Sequence, residues 1–151
     1  MSVYRSSQCT ATTTKGERCK LRTARSKLCW VHLRQKKGLR VKKSSVHGFG
    51  LFAARKMKKN TIIGPYAGEK VSLADIRKRY GKKRADYALC HGQKCVDARY
   101  SNASAARFAN SASGQKGKRN NAKLTTRFNL KSTKAIPKGR EILTSYGRSY
   151  F

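Results

Sequence analysis

The sequence has very few acidic residues: six Asp and Glu stand against 37 Lys and Arg, for a formal net charge of +31 over 151 residues. In a compact fold, so many positive charges repel one another, and the protein requires a polyanionic partner or strong solvation. Nucleic acid is the first candidate, because neutralising its phosphates supplies most non-specific affinity. The sequence therefore predicts a DNA-docking surface, formed by the basic runs at residues 34–43, 76–84 and 114–119.

The sequence also lacks a long apolar run and a recognisable signal peptide. A membrane-spanning helix requires about 20 consecutive apolar residues, so no membrane partner is expected. Without a secretory signal, a cytosolic or nuclear compartment is favoured, and its cysteines are expected to bind metal rather than form disulfides.

Aliphatic residues are scarce in residues 1–37, which cannot bury a core of their own. Cys9, Cys19, Cys29 and His32 follow the spacing C-x9-C-x9-C-x2-H, and its C-x2-H end lets one turn supply two ligands. Three thiolates and one imidazole suit a closed tetrahedral zinc site. We therefore divide the chain into a basic zinc-binding segment (1–37) and a second domain (38–151).

Two more cysteines, Cys90 and Cys95, form a C-x4-C pair around His91. A second metal site would need two further ligands, and His47 is the only other histidine outside the first cluster. Because cysteine often behaves as a small buried hydrophobic residue, ordinary thiols are favoured here.

From residue 39 onwards the pattern indicates short strands separated by turns. The best helix is 72–81, within an insert at about 72–84, with Ser72 as N-cap and Asp75 completing a capping box. Residues 122–130 alternate apolar and polar side chains, which predicts one half-buried strand. The expected class is a β-rich α+β fold, with further extended segments at residues 39–43, 61–66, 95–98 and 140–146 and a helical turn or two within 102–110.

Three short motifs follow one another along the chain: HGFGLFA (47–53), RFANS (107–111) and GREILTSYG (139–147). With them, residues 39–151 resemble the SET-domain protein lysine methyltransferases, whose fold has short sheets and a knot-like C-terminal region. The resemblance implies S-adenosylmethionine as cofactor and Tyr146 and Tyr87 as catalytic residues. The implied cofactor-binding residues are His47, Gly48, Phe49, Gly50, Tyr87, Arg107, Phe108, Asn110, Ser111, Tyr146 and Phe151.

The chemistry fits these residue types. Glycines at 48 and 50 would let the backbone approach the cofactor closely, and the Asn110 amide would donate to and accept from its amino-acid end. The target lysine would enter from the opposite face, through a dry channel that lowers its pKa by desolvation. The implied channel residues are Tyr66, Tyr87, Thr144, Tyr150 and Phe151.

The sequence departs from the family at three points. Ser111 stands where the family usually has histidine, and Asn121 is a candidate replacement for a later asparagine. Thr144 stands where relatives often carry an aromatic residue that limits methylation, which favours multiple methylation. No cysteine follows Cys95, so a post-SET zinc site is not expected, and the terminal aromatics would take its place.

The expected function is histone lysine methylation at chromatin or DNA, with Glu69 and Asp86 as candidates to line the peptide groove. A substrate held by main-chain hydrogen bonds would need few acids. The compactness of the chain suggests a viral protein, so the expected location is the nucleus, or alternatively the virion or cytoplasm of an infected host cell. The rival class is a non-enzymatic basic packaging protein on a SET-like scaffold that binds DNA or RNA.

Overall fold

The computed structural model describes residues 2–145, which are rich in short strands and poor in helix. The strands are β1 (Ser7–Gln8), β2 (Arg22–Thr23), β3 (Leu39–Lys43), β4 (Phe49–Ala53), β5 (Ile62–Pro65), β6 (Glu69–Ser72), β7 (Ala88–His91), β8 (Lys94–Asp97), β9 (Ala122–Leu124), β10 (Asn129–Ser132) and β11 (Thr144–Ser145). The helical segments are α1 (Trp30–His32), a π-helical turn that continues it (Leu33–Lys37), α2 (Leu73–Tyr80) and a 3₁₀ turn (Ala105–Phe108). The prediction of a β-rich α+β fold is confirmed.

The strands form small sheets rather than one large one. β1 pairs with β2, β3 pairs with β4, β8 lies between β6 and β7, and the largest sheet has the order β11-β9-β10-β5. β11 runs parallel to β9, so the chain between them must cross over the sheet. This crossover brings Leu143 beside Asn110, to which it is joined by a β-bridge.

A single apolar cluster packs between the sheets and forms the main core. Its fully buried side chains include Leu51, Leu89, Leu130, Ile136 and Ile142. Each such side chain contributes about 1.5–3 kcal/mol when it leaves water. No helix among residues 2–145 has the length and apolar character needed to cross a bilayer.

Helix α2 begins as its sequence predicts. The Ser72 side chain accepts from the Asp75 N–H at 3.1 Å, and the Asp75 carboxylate accepts from the Ser72 N–H at 3.0 Å. Ile76 is buried, and Gly81 follows the helix with a φ of +58°. The capping box fixes the start of this insert, which packs beside β6 and β8.

The prediction of one strand over residues 122–130 is wrong. The structure has a hairpin there, with β9 and β10 joined by a turn in which the Phe128 N–H donates to the Thr125 carbonyl at 3.0 Å. Phe128 has a φ of +59°, an uncommon conformation for a non-glycine residue. The alternation of apolar and polar residues continues through the turn, so the pattern conceals it.

The expectation of free thiols at Cys90 and Cys95 is also wrong. The two residues face each other on β7 and β8, and a disulfide joins them. The spacing of a tight hairpin brings directly opposed residues within reach of one bond, which the C-x4-C spacing alone did not reveal.

The N-terminal segment packs directly on the rest of the protein. The Val3 N–H donates to the Arg99 carbonyl, and the Ser101 N–H donates to the Val3 carbonyl, each at 2.8 Å. The Asn102 amide donates to the Ser7 hydroxyl at 2.9 Å. Residues 2–7 therefore lie against residues 99–102, far away in sequence.

Candidate active site and metal centre

The three cysteines and the histidine of the N-terminal segment converge on one point. Cys9 follows β1, Cys19 precedes β2, Cys29 is the N-cap of α1, and His32 ends that helix. Their ligand atoms all lie within 4.8 Å of one another, and the three cysteines are buried. The C-x2-H spacing thus places two ligands on one helical turn, as the sequence predicts.

The separations suit a tetrahedral zinc ion. His32 Nδ1 lies 3.6 Å from Cys9 Sγ and 3.2 Å from Cys29 Sγ, and Cys19 Sγ lies 4.0 Å from Cys29 Sγ. Tetrahedral Zn–S and Zn–N bonds of about 2.3 and 2.0 Å space their ligand atoms about 3.5–3.8 Å apart. The donor set and its dimensions both fit the metal.

The thiols of the cluster differ in acidity. Burial raises the pKa of Cys9, but hydrogen bonds from the backbone of Cys29 and Ala11 and from the His32 side chain outweigh it, and the pKa falls to about 7. Burial raises the pKa of Cys29. A thiol that ionises near neutral pH is a ready first ligand for a metal.

A cavity of about 700 Å³ lies beside the 3₁₀ turn. Eight of the site residues predicted from sequence line it: His47, Gly48, Phe49, Tyr66, Tyr87, Arg107, Phe108 and Asn110. They come from four separate stretches of the chain. The fold therefore gathers residues of the first and second sequence motifs, with Tyr66 and Tyr87, around one opening.

Asn110 holds residues 47–49 in place; these residues line the cavity and are called its entrance loop. Its Nδ2 donates to the His47 carbonyl at 2.9 Å, to the Phe49 carbonyl at 3.1 Å and to Glu141 Oε1 at 3.2 Å. The donor side of the amide is therefore used within the protein. What Asn110 has left for a ligand is its Oδ1 acceptor.

The two glycines have different roles. Gly48 lines the cavity with a φ of +46°, and an added Cβ would meet no protein atom within 4 Å. Gly50 is buried and lies outside the cavity lining; a Cβ there would collide with Glu141 Oε1. Gly50 makes room for the Glu141 carboxylate, and its predicted role in cofactor binding stays a prediction.

We expect Gly50→Ala to destabilise the fold by about 1–3 kcal/mol, because the new methyl overpacks a site closed by Glu141 and by Ser44 Cβ at 3.0 Å. Glu141 is held there by a 2.7 Å hydrogen bond from Ser44. Urea unfolding measures the effect. Gly64→Ala is the matched control, since its Cβ meets nothing within 4 Å; equal stability of the two variants would contradict this role of Gly50.

Three aromatic side chains and one arginine form one wall of the cavity, called the inner wall: Tyr66, Tyr87, Phe108 and Arg107. The Tyr66 hydroxyl donates to the Tyr87 carbonyl at 2.8 Å. The Arg107 guanidinium lies 3.9 Å over the Tyr87 ring, and its Nε donates to the Ala98 carbonyl at 2.7 Å. Burial lowers the pKa of Arg107, and its hydrogen bonds assign it to holding this wall together.

The SET domain family model matches residues 48–147. The chain belongs to the SET-domain family. No curated protein matches the sequence significantly. SET domains are typically protein lysine methyltransferases that use S-adenosylmethionine, and the predicted resemblance is confirmed.

Two predicted site residues of the SET domain lie elsewhere in the structure. Thr144 is fully buried in β11, where its hydroxyl donates to the Ser145 carbonyl at 3.1 Å. It does not line this cavity within the described residues, and the interpretation that its small size permits multiple methylation stays a prediction. Ser111 lies outside the lining as well, and its hydroxyl accepts from the Ser113 N–H at 3.1 Å.

Tyr146, Tyr150 and Phe151 lie outside the described residues, so their predicted roles stay predictions. Asn121, the candidate for a second family asparagine, is buried. Its side chain donates to the Glu141 carbonyl and accepts from the Leu143 N–H, each at 2.9 Å. It thereby anchors the strand that leads to the C-terminal aromatics.

Sequence reasoning missed the contribution of the N-terminal segment to the cavity. Ser2, Tyr4, Ala24 and Arg25 all line it, although the SET match begins only at residue 48. None of them belongs to a motif. Ser2 is held there by Arg107, about a hundred positions away, and Arg25 by Val41 and Phe49. No local pattern in the sequence reports such contacts.

The acids near the site are paired within the protein. Buried Asp97 accepts from Arg79 and from the Tyr80 hydroxyl, each at 2.7 Å. Burial, reinforced by Asp97, raises the pKa of Tyr80 to about 12. Glu69 pairs with Arg79 at 3.2 Å and with Arg99 at 3.3 Å.

Asp86 is also paired, with Arg84 at 3.1 Å, and both line the cavity. Glu69 and Asp86 were the acids expected to attract a basic peptide. Their arginine partners cancel much of that attraction. A substrate peptide would have to be held by other contacts.

Proposed function

We propose that this protein is an S-adenosylmethionine-dependent protein lysine N-methyltransferase acting on a histone or another basic protein. The observation that carries the proposal is the convergence of eight predicted site residues on one cavity of about 700 Å³, with seven of the eight inside the SET-matched region. Cavities of about 300–1,000 Å³ accommodate ligands of this size.

The residues around the entrance loop suit the cofactor. Gly48 offers open space beside backbone carbonyls, and Asn110 retains an acceptor oxygen close to them. Such acceptors match the ammonium of an amino acid. When bound, the cofactor supplies an electrophilic methyl group on a sulfonium.

The inner wall suits the substrate lysine. The rings of Tyr66, Tyr87 and Phe108 give an aromatic surface beside the cavity. Partial exclusion of water disfavours the charged ammonium and lowers its pKa, so the amine can act as a nucleophile. The resemblance implies that the hydroxyl of Tyr146 lies near the transferring methyl group.

We also propose that the cluster of Cys9, Cys19, Cys29 and His32 binds a structural zinc ion. The protein supplies all four ligands of a tetrahedral site, which is typical of structural rather than catalytic zinc. The ion would hold the N-terminal segment in shape. Within residues 2–37 that segment has only the two-residue strands β1 and β2, the three-residue α1 and the π-helical turn that continues it.

The basic surface is proposed to dock the enzyme on DNA or a nucleosome, which would place it in the nucleus. The charge of +31 and the internal pairing of Glu69, Asp86 and Asp97 support this, since few acids remain to offset it. Affinity for DNA is then expected to fall steeply with salt. Viral origin remains an expectation from compactness alone.

The test is transfer of a labelled methyl group to core histones and to nucleosomes. Tyr146→Phe is expected to lower transfer by about 10²-fold through loss of one positioned polar contact, with cofactor binding retained. Tyr100→Phe is the matched control, because its hydroxyl, 3.2 Å from the Arg99 guanidinium, lies away from the cavity lining.

The outcomes separate the two classes of function. Incorporation that depends on Tyr146 supports the enzyme, and a preference for nucleosomes supports docking on DNA. Absence of both incorporation and cofactor binding would favour the non-enzymatic packaging protein. Cofactor binding without transfer would mean that histones are not the substrate.

A further inference from the structure

Three arginines line the cavity, and two of them are occupied by other groups. Arg107 is buried, and its guanidinium donates to the Ala98 and Arg99 carbonyls and to the Ser2 hydroxyl. Arg84 forms an ion pair with Asp86 at 3.1 Å. Neither has its full charge available for a ligand.

Arg25, the third, differs from both. No ion pair involves it within residues 2–145, and its side chain is exposed. The guanidinium lies 4.1 Å from the centroid of the Phe49 ring, and Nη1 lies 3.5 Å from the Val41 carbonyl. Stacking on an aromatic ring restrains the guanidinium plane and leaves its edge free to donate hydrogen bonds.

The position of Arg25 relative to Asn110 is the decisive feature. The Phe49 carbonyl accepts from Asn110 Nδ2 at 3.1 Å, while the ring of the same residue carries Arg25. Phe49 thus contacts both an acceptor-bearing amide and an arginine, and all three residues line the cavity. An amino-acid zwitterion requires this combination: acceptors for its ammonium and a cationic donor for its carboxylate.

We propose that Arg25 binds the α-carboxylate of the cofactor, so that the N-terminal segment supplies a ligand that the SET domain itself does not. The inference rests on the proposed function. Arg25 precedes the region that the family model matches, residues 48–147. It lies in sequence between the zinc-ligand candidates Cys19 and Cys29, and its side chain is held by its contacts with Phe49 and the Val41 carbonyl.

Calorimetry with two cofactor fragments tests the assignment. S-Adenosylhomocysteine contains the amino-acid end, whereas 5′-methylthioadenosine lacks it. Arg25→Ala is expected to weaken S-adenosylhomocysteine binding by about tenfold, the effect of one charge-assisted contact. Binding of 5′-methylthioadenosine should stay unchanged, which also shows that the variant is folded.

Arg34→Ala is the matched control, because Arg34 also stacks on an aromatic ring, that of Trp30, but lies outside the cavity. It should leave both affinities unchanged. Unchanged S-adenosylhomocysteine binding in Arg25→Ala would overturn the assignment, and so would equal weakening of both ligands. If the wild-type protein binds neither ligand, the proposed function itself fails.

Discussion

Removing the metal from the N-terminal cluster is expected to unfold residues 2–37 and to open one side of the cavity. The four ligand atoms are the main element that holds this segment together, since its own apolar cluster is small. Structural zinc contributes about 10–16 kcal/mol to the folding of zinc-finger peptides. Cys19→Ser should have the same effect as chelation, because it removes a buried ligand.

The measurement is metal content together with hydrogen exchange. One zinc per chain is expected in the wild-type protein, and chelation should expose the amides of residues 2–37 while those of β9 and β10 stay protected. The double variant Cys90→Ser/Cys95→Ser is the control, because its cysteines lie outside the cluster. A wild-type protein that is free of metal and still protected in residues 2–37 would contradict the prediction.

Asn110→Asp is expected to destabilise the protein by about 3 kcal/mol or more, because it replaces a donor by a charge among acceptors. The introduced carboxylate would face the His47 and Phe49 carbonyls and Glu141 Oε1, which now lie 2.9, 3.1 and 3.2 Å from the amide nitrogen. Repulsion should raise the pKa of the new carboxyl in the folded state above its unfolded value of about 3.9.

That pKa shift gives the prediction a pH signature. The electrostatic penalty of a carboxyl whose folded pKa is raised is complete above that folded pKa. It decreases as pH falls through the folded pKa and is gone below the unfolded pKa of about 3.9. Urea unfolding at several pH values checks this. Asn120→Asp is the control: its Oδ1 accepts from the Ala112 N–H at 2.9 Å, a contact that a carboxylate keeps. Equal losses of stability in Asn110→Asp and Asn120→Asp would refute the donor role of Asn110.

Local features of the fold were predictable where one short stretch contains its own signal. The capping box at Ser72 and Asp75 is an example, because donor, acceptor and helix lie within four residues. The cysteine spacing likewise identified the four side chains that converge in one cluster, since a segment without a core requires another organiser. Strand β3 was predicted with its observed bounds.

Features that depend on contacts across the chain were not predictable. The turn at Phe128 interrupts an alternation that continues in the sequence, so only strand pairing reveals it. The motif shows Gly50 but not the Glu141 carboxylate that it accommodates, about ninety positions later in the chain. Arg25 belongs to no motif, and its proximity to Phe49 exists only in the folded chain.

The docking of residues 2–7 on residues 99–107 has a consequence for synthesis on the ribosome. At about 5–20 residues per second, the docking surface emerges roughly 5–20 s after Val3 has left the exit tunnel. The metal ligands are complete by His32, long before Arg99 and Arg107 exist to receive the segment. Zinc supply at that moment would determine whether the N-terminal segment is folded or unfolded when the newly synthesised SET domain becomes available for docking.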